Sequence, residues 1–209
     1  MSNNYNRLAP FYDVLVRLVF GQSVLNAQLS YIHRLKPNDK VLIVGGGSGR
    51  LLPSLLNTKP DIQLDYLEAS HKMKSLAKEK VNESQLKHIN FIPQKIENFP
   101  VDEKKYDAIL CFFFIDLFPE KKGLEIILKL NKSLTKDGIW LVADFNQPKT
   151  VFQRMVDKLM FLFLKLTTKA ESEKTIDYKK QLKSTRLAEV ESTTFYGSYI
   201  FSAVFKSKE

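Results

Sequence analysis

The chain has 209 residues, 44% of them apolar, and a formal net charge of +9. That length can bury one good core and scarcely two, so a single domain is expected. Cys111, in "AILCFFF", is the only cysteine; this excludes an internal disulfide, a cysteine-based metal cluster and paired-thiol redox chemistry, and its apolar setting reads as a buried thiol.

The opening, "MSNNYNRLAPFYDV", lacks the basic-then-apolar layout of a signal peptide, and no stretch approaches the ~18 to 20 uncharged apolar residues that span a bilayer. A cytoplasmic protein is expected. Strand-like apolar runs then alternate with helical patterns: strands at 41–44, 62–67, 89–92, 106–112 and 139–143, with helices at 48–57, 70–81 and 120–134 between them. Gly138, in "KDG", is expected to take the left-handed conformation that leads out of the third helix. The alternation implies a parallel sheet with helices on both faces. After residue 148 the rhythm changes to an apolar and basic helix over 149–168, a second helix at 178–189, and two strands in "STTFYGSYIFSAVFKS". The link Tyr196-Gly197-Ser198 is too short for a parallel crossover, so the last strand should run antiparallel. Much of the charge sits late: between Lys149 and Arg186 ten basic residues face four acids, leaving +6.

The first strand runs into "VLIVGGGSGR", with Gly45, Gly46, Gly47 and Gly49 forming a strand-to-helix turn. A dinucleotide turn wants a third glycine where Arg50 stands, and no Gly-Lys-Ser/Thr ending marks a P-loop, so the pattern counts against both NAD and ATP. It suits a ligand whose amino-acid part and ribose lie across bare backbone. Glu68, closing "LDYLE" 19 residues beyond Gly49, can accept from two vicinal hydroxyls at once.

Here the sequence resembles the class I S-adenosylmethionine-dependent methyltransferases, and within them the small quinone and lipid methyltransferase branch. "YNRLAPFYDVL" is similar to an N-terminal element that covers the cofactor, "VLIVGGGSGRLL" to the first motif, and "LEASHKM" to the ribose-binding turn. "FIPQKIENFP" is similar to the adenine-binding loop, "YDAILCFFFIDLFP" to the fourth-strand motif and "LTKDGIWLVADF" to the fifth. The resemblance implies an α/β, Rossmann-like, seven-stranded, mostly parallel sheet. It also implies S-adenosylmethionine as cofactor, held by Gly45, Gly46, Gly47, Gly49, Glu68, Ala69, Met73, Gln94, Lys95, Ile96, Phe112 and Tyr12. Two positions depart from the pattern: Ile43 stands where the family usually has an acid, and Gln94 or Lys95 where an acid usually meets the adenine. The implied organisation is a helical cap over 1–36, a cofactor core over 37–148, a substrate lid over 149–176, and a helix with a strand pair over 177–209.

A sulfonium already carries an activated methyl, so the protein has mainly to align a nucleophile and exclude water. No Asn/Asp-Pro-Pro-Tyr motif of amino-group methylation follows the fourth strand. Asp116 is the only ionisable side chain in "CFFFIDLFP" and is the candidate basic or substrate-orienting group, with Tyr5 a second candidate from the cap. Phe112, Phe113 and Phe114 cannot all face the core, because neighbours on a strand alternate sides. His33, His71 and His88 are scattered and build no metal site. The apolar run Leu159–Leu164, flanked by Lys158, Lys165 and Lys169, reads either as a helix clamped in the core or as a lid meeting an apolar acceptor or an anionic membrane surface. Aromatics cluster in apolar runs rather than interleaving with a basic stripe, so nucleic acid is the weaker partner. An RNA methyltransferase and a non-catalytic binding protein of the same fold stay open as alternatives.

Overall fold

The computed structural model describes residues 17–167 and 177–208, with side chains described over 17–160 and 177–208. β1 (Lys40–Val44) is buried on both faces. Val41 and Ile43 join the apolar cluster on one side of the sheet, while Leu42 and Val44 join the other, as a period of two requires. β2 (Gln63–Leu67) lies parallel beside β1, and β3 (Ile89–Ile92) parallel beyond it. On the other side come β4 (Tyr106–Phe112) and then β5 (Leu134–Phe145), again parallel. The last two strands, β6 (Leu187–Phe195) and β7 (Ile200–Ser207), pair antiparallel, and β7 inserts between β5 and β6. The order is β3-β2-β1-β4-β5-β7-β6, the seven-stranded sheet with an antiparallel final strand that the sequence implied.

Helices cover both faces. α1 (Ser23–Leu29), α2 (Leu52–Thr58) and α3 (His71–Glu79) place Ala27, Leu52, Leu55, Leu56 and Ala77 against Val41 and Ile43. A short α4 (Glu83–Leu86), held by a capping box between Asn82 and Gln85, leads into β3 and was not expected. α5 (Glu120–Asn131) closes the opposite face with Ile126, Ile127 and Leu130. α6 (Val151–Thr167) returns to the first face through Val156, and α7 (Tyr178–Ser184) to the second through Tyr178 and Leu182. Each such fully buried aliphatic or aromatic side chain contributes about 1.5 to 3 kcal/mol of transfer free energy. Among the described residues no helix is long and apolar enough to cross a membrane.

Several boundaries differ from the sequence expectation for identifiable reasons. α2 begins at Leu52 rather than at Ser48, because Gly45 to Arg50 stay in the turn. α5 ends at Asn131 rather than near 134, because the Ser133 hydroxyl donates back to the Leu130 carbonyl and Leu134 drops into the core to start β5. Gly138 is not left-handed. Tyr106 pairs with Leu134 but Ala108 with Ile139, so Thr135 to Gly138 bulge out of the ladder, and a Cβ at Gly138 would lie 2.6 Å from the Leu134 side chain. α7 stops at Ser184 rather than 189, because the Thr185 hydroxyl donates to the Leu182 carbonyl and Leu187 is buried as the first residue of β6. Tyr196, Gly197 and Ser198 all take positive φ in the link to β7.

Candidate active site

The strand order reverses between β1 and β4, which opens a crevice beyond the carboxyl ends of those strands. The glycine turn sits at that point. Gly45, Gly47 and Gly49 have φ of +63°, +64° and +76°, a region where side chains are strained. Three of the glycines are bare because the protein itself fills the space. A Cβ at Gly45 would lie 2.1 Å from the Phe114 ring, one at Gly46 would lie 2.1 Å from the Tyr66 ring, and one at Gly49 would lie 2.7 Å from the α3 backbone at Ala77. Gly47 differs: nothing lies within 4 Å of its Cβ position, so a ligand can approach the backbone there. The Tyr66 hydroxyl steadies this residue by donating to the Gly47 carbonyl at 3.0 Å.

Glu68 stands at the end of β2 facing that opening. One carboxylate oxygen accepts from the Gly47 N–H at 2.9 Å and the other from the Ser70 N–H at 2.7 Å. Burial pushes Glu68 above its ordinary value, and the two backbone amides pull it back toward the ionised form. A carboxylate has about four acceptor positions, so two are left for a pair of vicinal hydroxyls. Open backbone and a half-satisfied carboxylate together fit a nucleoside. Ala69 is half-buried beside Glu68, and Ser70 caps α3 by accepting from the Met73 N–H, with the Met73 side chain buried. Beyond β3, Gln94 and Lys95 are exposed at the rim while Ile96 turns into the core.

The other wall comes from the ends of β4 and β5. Phe112 is buried in the first cluster; Phe113, at φ +51°, packs 5.0 Å from the Phe145 ring; Phe114 lies over Gly45 and 5.2 Å from Phe118. Asp116 follows in a single 3-10 turn, Ile115–Leu117, and is 5% exposed. Burial is the largest influence on it, and the neighbouring Asp157 carboxylate adds to it, so Asp116 is pushed up to about 7. Asp144, one residue from the end of β5, is wholly buried and is raised by burial and by Asp116. Asp157 on α6 accepts from the Tyr199 hydroxyl at 2.7 Å. Sequence reading missed Asp144, Asp157 and Tyr199; the available signal was an acid at an inward position of "WLVADF", where the flanking strand residues are all apolar. Cys111 is buried beside Tyr178, and burial pushes its thiol far up. His33 and His71 are exposed, and His88 bonds Gln63. Tyr5 and Tyr12 lie outside the described residues.

Residues 41–138 match the family model described as "Methyltransferase domain". Malonyl-(acyl-carrier protein) O-methyltransferase 1 of Ilyobacter polytropus is 33% identical over 110 residues, covering 52% of this chain and 39% of that protein. The chain thus spans about two fifths of the length of that relative. Demethylmenaquinone methyltransferase of Thermotoga maritima is 26% identical over 164 residues, covering 77% of this chain and 67% of the relative. Among solved structures, a SAM dependent methyltransferase from Aquifex aeolicus superposes with a TM-score of 0.64 at 17% identity, covering 96% of this chain and 97% of that one.

Proposed function

Because the chain carries a methyltransferase domain of the class I S-adenosylmethionine-dependent type over 41–138, we propose that it transfers a methyl group from S-adenosylmethionine to a small acceptor with an apolar body. The observation that carries the reading is Glu68, held by the Gly47 and Ser70 amides beside the open backbone of Gly47. When bound, S-adenosylmethionine supplies a methyl group on a positively charged sulfur. The chain's residues do the rest. Gly47 offers bare backbone, Glu68 takes the ribose hydroxyls, Ala69 and Met73 border the nucleoside, and Gln94 and Lys95 stand at its rim. Phe113 and Phe114 exclude water from the side of the acceptor.

An apolar acceptor is supported by α6, whose exposed side chains include Val151, Phe152, Met155 and Leu159. At 100° per residue these four fall within an arc of about 100°, with Arg154 and Lys158 exposed along one edge. Gln153 and Val156 turn inward on the opposite side. An apolar arc with a cationic margin suits the surface of an anionic bilayer, so a cytoplasmic protein that takes its acceptor from a membrane face is part of the proposal. The two relatives act on different things by name, one on a malonyl carrier protein and one on a demethylated quinone. The exposed apolar arc favours the quinone-like class.

Calorimetry with S-adenosylmethionine tests the cofactor site. Glu68→Ala should weaken binding by about 1.5 to 3 kcal/mol, the scale of lost charge-assisted hydrogen bonds, while the fold is retained. Equal affinity of a folded variant, or no binding by the parent protein, overturns the reading.

A further inference from the structure

The chain leaving β4 breaks the strand's alternation at the mouth of the crevice. Cys111 faces the second apolar cluster and Phe112 the first, so the next residue should return to the second. Phe113 packs against the first instead, its ring 5.0 Å from that of Phe145, and Phe114 takes the other side beside Phe118. The cause is the φ of +51° at Phe113, a region that bulky side chains avoid and that glycine or asparagine enters at less cost. The residue is held there, because its N–H donates to the Ala143 carbonyl at 2.8 Å. The other described non-glycine residues with positive φ, Asn38, Lys104, Tyr196 and Ser198, lie in turns between elements. Among them all, only Phe113 directly follows a parallel strand.

Full burial does not account for this conformation. The rings that continue the wall, Phe145, Phe20 and Tyr199, are buried, whereas Phe113 is only half-buried. It stands at the carboxyl end of β4, and the partly exposed Gly45, Gly46 and Gly47 follow the neighbouring β1, whose Val44 pairs with Cys111. Solvent thus reaches Phe113 and the glycine turn at the same end of two adjacent strands.

Resting on the methyltransferase reading above, we propose that Phe113 is a specificity-determining residue of the acceptor site, a platform on which a flat aromatic ring stacks. The positive φ sends two consecutive rings to opposite sides of the sheet. Phe114 closes over Gly45, and Phe113, backed by Phe145, is left to the acceptor. Excluding water would need only an apolar side chain. A ring kept in a disfavoured backbone conformation offers in addition a π face of fixed orientation. An aromatic acceptor meets that face by offset stacking, whereas a saturated one gains only from the area it covers. Stacking also leaves the acceptor little freedom beyond rotation in its own plane, which serves the alignment that methyl transfer requires. Aromatic hydroxyl compounds, reduced quinones among them, are therefore the acceptor class, in preference to saturated chains and rings.

The test uses the full chain loaded with S-adenosylhomocysteine and two probes of similar size, flat 2-naphthol and saturated decahydro-2-naphthol, titrated by calorimetry. The parent protein should bind 2-naphthol roughly three- to tenfold more tightly than the saturated probe, the scale of an aromatic pair beyond its buried area. Phe113→Tyr, which keeps the ring, should retain that preference. Phe113→Leu should bring the two affinities to within about twofold by weakening 2-naphthol alone. No binding of 2-naphthol by the loaded parent, no preference in the parent, or the same preference in Phe113→Leu overturns the platform. If Phe113→Leu fails to fold, Phe113→Gly, which relaxes the backbone and removes the ring, carries the same readout; failure of both to fold makes the residue structural and also overturns it. Binding of S-adenosylhomocysteine by the same samples keeps the two readings apart. A variant that loses cofactor affinity along with the preference places Phe113 in the cofactor wall and overturns the acceptor role, whereas a parent that binds no S-adenosylhomocysteine overturns the methyltransferase reading itself.

Discussion

Glu68 and Asp116 are both buried acids whose surroundings give them different work. Two backbone amides partly offset the burial that raises Glu68, while Asp116 keeps an orphan oxygen beside other carboxylates. The contrast has a measurable consequence. Asp116 holds its proton to about pH 7 in the native protein, but in the unfolded chain it loses it near an ordinary value of about 4. Across that window the native state binds more protons than the unfolded one, so stability falls as pH rises, by about 1.4 kcal/mol per unit for one proton, and levels off above it. Urea melts at pH 5 and pH 8 should show this loss in the parent protein and a loss smaller by one proton's share in Asp116→Asn, where Asp144 and Glu68, also raised by burial, keep their own contributions. Glu68 was legible in the sequence because an acid closing a strand after a glycine turn has few other uses. Asp116 was legible as the only charge in its loop. Asp144 was not, because pairing it with Asp116 needs the β4–β5 register, and no local pattern encodes that.

At the scale of elements, α6 makes two demands on its sequence at once. Its inward side seats Gln153, which donates to the Gly197 carbonyl, and Val156, which joins the core. Its outward side carries the apolar arc. The two readings of this helix separate by mutation. Replacing Phe152 and Leu159 by Ser should leave the melting temperature within a few degrees, since both side chains are more than half exposed. The same change should reduce binding to vesicles containing anionic lipid, and raised salt should weaken the parent's binding by screening Arg154 and Lys158. A large loss of melting temperature, or no vesicle binding by the parent, would return the helix to a purely structural role. Phe161 and Phe163, which a core reading would test first, have side chains outside the described residues. Boundaries were the least legible feature of the elements. The α7–β6 junction turns on one Thr185 hydroxyl bond, and the start of β5 on a bulge that lets Leu134 pair while Thr135 to Gly138 loop out.

For the molecule as a whole, the alternation of apolar runs and helical stretches made the doubly covered sheet legible, because each parallel strand must be buried on both faces. The place of the site followed from the same logic, since the glycine turn ends the strand beside which the order reverses. What the sequence withheld was the second wall, assembled from the ends of β4, β5 and α6 and the residue before β7, segments far apart along the chain. The position of β7 also bears on how the protein comes to be folded. It is the last strand of the sheet to be synthesised, yet it sits between β5 and β6 and pairs with both. Until residues 200–207 leave the ribosome, β5 presents an unpaired backbone edge along Ile139 to Phe145, and β6 has no partner. The nascent chain must carry that adhesive edge from the completion of β5 at Phe145 until β7 is made. Completion of the sheet is therefore a late, non-local step, which makes delay or arrest in the final segment the point at which this protein is most exposed to aggregation.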